Sequence, residues 1–127
     1  MKEIILIFNV LEREKKLKIE KALFPLKIKI KYVKKEDYSQ PLGVLAGISD
    51  LKPADLPFEG KELPNTMFVF AFLSQNQLNQ VLAALRKSQA GPFPYKAVLT
   101  PTNQYWTAHE CFDKICKEHE EMKKMSR

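Results

Sequence analysis

Two apolar runs constrain this chain more than anything else in it. Ile4-Ile5-Leu6-Ile7-Phe8, and Thr66 through Phe72, place apolar side chains at both odd and even positions. Each therefore predicts a central strand covered on both faces, with Phe68, Phe70 and Phe72 sharing one side of the second. By contrast Lys27-Ile28-Lys29-Ile30-Lys31-Tyr32 alternates strictly, which predicts an edge strand whose lysines face water and discourage stray pairing. Tyr95 to Leu99 is a shorter strand, and Lys96 suits an edge position there too.

Helical patterns separate these strands. Residues 12–24 are rich in Glu, Lys and Leu, with Ile19, Ala22, Leu23 and Leu26 as an apolar stripe and Pro25 as the stop. Ser74 with Gln77 forms a capping box before the stripe Leu78, Val81, Leu82 and Leu85, which Gly91-Pro92 closes. A last helix, capped by Thr102 or Asn103, would run to about residue 124 with Ala108, Phe112, Ile115, Cys116, His119 and Met122 on its inner side. Alternating strands and helices predict one α/β domain over 1–127: a small parallel four-stranded sheet, order 2-1-3-4, in two or three layers, like a truncated flavodoxin arrangement. No internal repeat is legible.

The connection from Lys34 to Pro64 is long for a compact domain. Pro41 to Ala46 reads as one short helix, and Pro53, Pro57 and Pro64 space out a loop with Phe58 as its anchor. Ordered loops of this length are lids, binding loops or rigid straps, and residues 48–63 fit either use.

Charge is uneven. Residues 1–35 hold 11 Lys or Arg against 4 Asp or Glu, which exceeds the net charge of +6 of the whole chain. An acidic partner could use such a surface. Arg13 is its single arginine, and arginine is the better sign of phosphate recognition, so nucleic-acid binding is the weakest of the function classes. No apolar run is long enough to span a membrane, and Ile4–Phe8 is too short for a signal-peptide core. Cys111 and Cys116 sit five positions apart on one helix, a spacing that opposes a disulfide. Reduced thiols fit a cytoplasmic protein.

Asp37-Tyr38-Ser39-Gln40-Pro41-Leu42-Gly43-Val44-Leu45-Ala46-Gly47, Lys96-Ala97-Val98-Leu99-Thr100-Pro101-Thr102-Asn103 with Trp106-Thr107, and Glu118-His119-Glu120 together resemble the bacterial domain-of-unknown-function family number 3783. The resemblance implies a bacterial cytoplasmic protein and brings no activity, cofactor or catalytic residue.

In an all-parallel sheet of this order, ligands would sit beyond the strand ends between strands one and three. Asn9, Ser74, Thr100, Thr102, Asn103 and Trp106 would line that rim, with Tyr38 as a second aromatic wall. These uncharged hydrogen-bonding groups at helix starts suit a small anionic ligand, although Ser, Thr and Asn there are also ordinary caps. His109, Asp113, Cys116 and His119 fall on one side of the last helix, but a metal site normally draws on several elements, so no metal and no cofactor is expected. Ser74 lacks a nucleophile elbow, and there is no glycine-rich phosphate loop. The outline is similar to phospho-acceptor receiver domains, yet the acids they need are replaced by Asn9 and Leu73-Ser74. The expectation is a non-catalytic binding or regulatory module using the rim, the proline-spaced loop or both. The alternative is an enzyme or sensor of a small anionic metabolite at the same rim.

Overall fold

The computed structural model describes residues 2–125. Strands β1 (Ile4–Phe8), β2 (Lys29–Val33), β3 (Met67–Ala71) and β4 (Lys96–Val98) form one sheet of order β2-β1-β3-β4. The apolar runs take the centre and the lysine-bearing strands the edges. Helices α1 (Arg13–Leu23) and α3 (Gln75–Lys87) cover one face, packing Ile19, Leu23, Val81 and Leu85 on Ile5, Ile7, Phe68 and Phe70. Helices α2 (Leu42–Leu45) and α4 (Ala108–Met125) cover the other, where Leu42, Leu45, Cys111, Phe112 and Ile115 meet Leu6, Phe8, Met67 and Val69. The result is three layers. Among the described residues, no helix is long and apolar enough to cross a membrane.

The sheet is mixed, not parallel throughout. β1 runs parallel to β2, and β3 to β4, but β1 and β3 are antiparallel, with Leu6 opposite Val69 and Phe8 opposite Met67. The physical reason lies in the long connection. It holds only the single turn Lys35–Asp37 and four-residue α2, too little helix to carry the chain back along the sheet. Instead it doubles over: the Phe58 N–H donates to Glu36 O at 2.9 Å. The chain thus re-enters the sheet at the end where β2 left it, and β3 starts beside the end of β1.

This direction change creates an internal two-fold relationship. Apart from an extra 3-10 turn, Phe24–Leu26, after α1, each half is strand, helix, strand, 3-10 turn, helix, and in each half the first helix lies on one face and the second on the other. The match extends to single residues. Asn9 follows β1 with φ 60° and Phe72 follows β3 with φ 65°. Both first helices are followed by a left-handed residue, Lys27 (φ 56°) and Gln89 (φ 61°). Gln40 N–H donates to Asp37 O as Trp106 N–H donates to Asn103 O, and at the same spacing Leu42 opens α2 as Ala108 opens α4. The sequence does not betray this repeat, because the two halves share a burial pattern rather than residues.

Smaller departures follow from local chemistry. The left-handed corner at Phe72 sends its ring to the α4 side, away from Phe68 and Phe70. The cap of α4 is neither Thr102 nor Asn103. Those residues lead into the turn Asn103–Tyr105, and a second capping box follows, in which Thr107 N–H donates to Glu110 Oε1 and Glu110 N–H to Thr107 Oγ1. Met122 is 67% exposed rather than on the inner side.

Candidate functional site

The antiparallel pairing divides the expected rim. Asn9 and Tyr38 follow β1 and β2 at one end of the sheet, while Ser74 and Thr100 follow β3 and β4 at the opposite end. Most of these residues have structural partners. Asn9 Nδ2 donates to Leu63 O at 2.7 Å, and its own carbonyl accepts from Thr66 Oγ1. Ser74 and Gln77 exchange both capping-box bonds. Asn103, the one buried polar or charged residue among the described residues, accepts from Thr100 N–H at 2.8 Å and donates to Val98 O at 2.9 Å, while Thr100 Oγ1 accepts from Asn103 N–H. Thr102 is exposed and makes no capping bond. Trp106 is half-buried, and its carbonyl holds the first N–H of α2.

Tyr38 is fully enclosed by the long connection. Its ring packs against Phe8, Phe58 and His109, and its hydroxyl donates to Glu62 Oε1 at 2.5 Å. Burial, then the hydrogen bond to Glu62, push the Tyr38 hydroxyl well above the usual tyrosine range. Phe58 stacks on His109 with centroids 4.8 Å apart. Residues 48–63 therefore strap the α4 face of the core; Gln40 adds two bonds to Ala54, and Ser39 one to Leu56.

The thiols and imidazoles of α4 serve packing. Cys111 is buried, and burial with the nearby Glu118 charge raises its thiol to about 12, so it is neutral at physiological pH. His119 stacks on Tyr95. Among the described residues, no three His, Cys, Asp or Glu side chains come together as a metal site. On the lysine-rich face, Lys15 and Lys18 pair with Glu12 and Glu14.

What the fold does gather is an open strand edge with a groove on each side. On the α3 face a groove of about 600 Å³ is lined by Leu82, Leu85, Arg86, Phe93, Pro94 and Lys96 among others. On the α4 face a pocket of about 300 Å³ is lined by Asn103, Trp106, Lys114, Glu118 and the β4 residues Lys96 to Val98. Lys96 borders both, and its ammonium donates to Phe93 O. Two of the expected residues, Asn103 and Trp106, thus share a pocket that Tyr38 does not line.

The two-fold relationship shows why side chains cover the β2 edge and not this one. By register, Lys31 and Tyr32 of β2 occupy the places of Ala97 and Val98 in β4. Lys31 Nζ reaches over the α2 side to Leu45 O at 3.2 Å. Tyr32 closes the α1 side, donating to Glu20 at 2.9 Å beneath the Lys16 ammonium. Alanine and valine are too short to do either, and Val98 is left 46% exposed. The backbone adds its own share. Tyr95 O accepts from Phe68 N–H, and Leu99 N–H donates to Phe70 O, so the polar groups of Lys96 and Val98 point outward. Asn103 takes the Val98 carbonyl, leaving the Lys96 N–H, the Lys96 C=O and the Val98 N–H along the edge. The short side chains at 97 and 98 beside Gly91-Pro92-Phe93-Pro94 were the sequence signal for this feature.

Residues 66–122 match the family model described as a domain of unknown function (DUF3783). The matched residues take in the second motif of the resemblance and both grooves, and correspond closely to the second half of the two-fold; the Asp37–Gly47 motif lies outside them. No curated protein and no solved structure matches the chain.

Proposed function

We propose that this protein is a small non-catalytic binding module of a bacterial cytoplasm, and that its working surface is the β4 edge with its two flanking grooves. One observation carries the reading: equivalent positions close the β2 edge with Lys31 and Tyr32 but leave the β4 edge open with Ala97 and Val98. A mostly apolar groove with a few polar groups at its lip is the ordinary form of a recognition site. The thiol and imidazole side chains are employed in packing, Cys111 as a neutral core thiol and the histidines against aromatic rings.

A second reading has its own observation. Trp106, Asn103 and Lys114 converge on the smaller pocket, a composition suited to a small anionic metabolite and hence to a sensor or an enzyme. Trp106 is the single tryptophan of the chain, so its emission reports occupancy directly. Titration of extended peptides and of small carboxylates and phosphates against Trp106 emission separates the two readings. The module reading expects peptides to saturate the signal. Saturation by a small anion alone, or turnover of any compound that is lost in Lys114→Ala, overturns it.

A further inference from the structure

We infer that the occupant of the β4 edge is an extended acidic segment of another protein, which adds to the sheet as a fifth strand. The inference rests on the binding-module reading and specifies its partner. Strand addition needs unpaired main-chain groups and pockets for alternate side chains. The edge supplies the Lys96 N–H, the Lys96 C=O and the Val98 N–H. Successive side chains of an added strand point to opposite faces. One set therefore falls toward Leu82, Leu85 and Phe93 in the larger groove, and the other toward Trp106 in the smaller pocket.

The sign of the charge chooses among possible occupants. Arg86 and Lys96 border the larger groove, and Lys96 and Lys114 the smaller, against the single acid Glu118. A second copy pairing through its own β4 would bring Lys96 and Arg86 against Lys96 and Arg86. A second copy pairing through β2 would bring Lys29 and Lys31. Like charges facing across a strand pair are unfavourable, so both modes of self-pairing are disfavoured. A segment alternating apolar and acidic residues meets the opposite situation: its apolar side chains fill the α3 groove, and its carboxylates, on the other face, meet Lys114 and Lys96 at the smaller pocket.

The test uses the whole chain and three blocked octapeptides. The first alternates leucine with glutamate; the second replaces glutamate by lysine; the third is the first with alternate backbone nitrogens methylated, which removes donors and keeps side chains. Amide hydrogen exchange and chemical shifts are read residue by residue. The expected result is that the acidic peptide slows exchange at Lys96 and Val98 while shifting Trp106, and that the lysine and methylated peptides bind about tenfold or more weakly. Val98→Pro, an edge substitution that deletes the Val98 donor, should weaken the acidic peptide similarly, with retained folding checked by circular dichroism. Equal binding by the lysine or methylated peptide, or groove shifts without protection of Lys96 and Val98, overturns strand addition and leaves the module reading standing. Failure of all three peptides to shift either groove overturns both.

Discussion

Asn9 and Phe72 occupy the same corner of the two halves, one residue past a central strand, each left-handed and each turned onto the α4 side of the sheet. The next residues, Val10 and Leu73, both drop into the opposite core layer. A β-strand that must feed a helix on one face has to rotate sharply, and a single positive-φ residue achieves this. Asparagine tolerates that conformation; phenylalanine does so only because its ring is packed against the core.

The corner makes the first prediction. Asn9→Ala removes the bond to Leu63 O and with it the polar side chain that lets asparagine tolerate φ 60°, so it should destabilise the fold by about 2 kcal/mol. Asn9→Gly loses the bond but relieves the backbone, and should cost about half as much. Urea midpoints of the two variants decide it; an alanine variant as stable as the glycine one would show that the corner is unstrained.

The strap makes the second. Tyr38 is 1% exposed and its hydroxyl bonds to the Glu62 carboxylate. Tyr38→Phe keeps the ring among Phe8, Phe58 and His109 but deletes a hydrogen bond to a charged group, a loss of about 1–2 kcal/mol. Because Glu62 also accepts from Leu63 N–H, the strap should loosen rather than detach. Proteolysis at low protease should therefore cut the variant first within residues 48–63, before the sheet unfolds.

Alkaline pH supplies the third. The Cys111 thiol is raised from about 9 to about 12, chiefly by burial. Above pH 9 the unfolded chain releases this proton while the folded chain keeps it. The stabilisation is therefore complete below pH 9 and is lost as pH climbs toward 12, at up to about 1.4 kcal/mol per pH unit for one proton. Denaturation series between pH 8.5 and 9.5, below the ordinary tyrosine value, should show a steeper decline in the parent than in Cys111→Ala, the remainder coming from Cys116, whose thiol is raised as well. Equal slopes would mean that Cys111 is not the group responsible.

The strand order was legible because burial is written in composition: Ile4–Phe8 and Met67–Ala71 are apolar at every position, and lysine marks β2 and β4. Strand direction was not, since an apolar run reads the same in either sense. It depends on whether the chain from Val33 to Met67 crosses the sheet or folds back, and that is decided by contacts such as Phe58 with Glu36. The expected rim rested on direction, so Asn9 and Ser74 separated when β3 reversed. Caps were readable where side chain and spacing coincide, at Ser74 with Gln77. The equally regular Thr107 with Glu110 was hidden behind Thr102 and Asn103, which offer the same residue types earlier. The open β4 edge lay in an absence, short side chains at 97 and 98, which gains meaning only beside Lys31 and Tyr32.

Asn103 supplies the last prediction, because it joins the site to the stability of the edge. Its side chain holds the Thr100 N–H and the Val98 C=O, and it is 8% exposed. Asn103→Ala leaves both groups without their partner, which should cost about 2 kcal/mol. It also releases a fourth main-chain group along β4. An edge with more unpaired groups pairs more readily, so the variant should self-associate more than the parent in high salt, where the repulsion of Lys96 and Arg86 is screened, and less so in low salt. Sedimentation velocity at both ionic strengths reads this out. Monomeric behaviour of the variant in both would mean that the Val98 carbonyl is not part of the open edge and that Asn103 serves only the turn before α4.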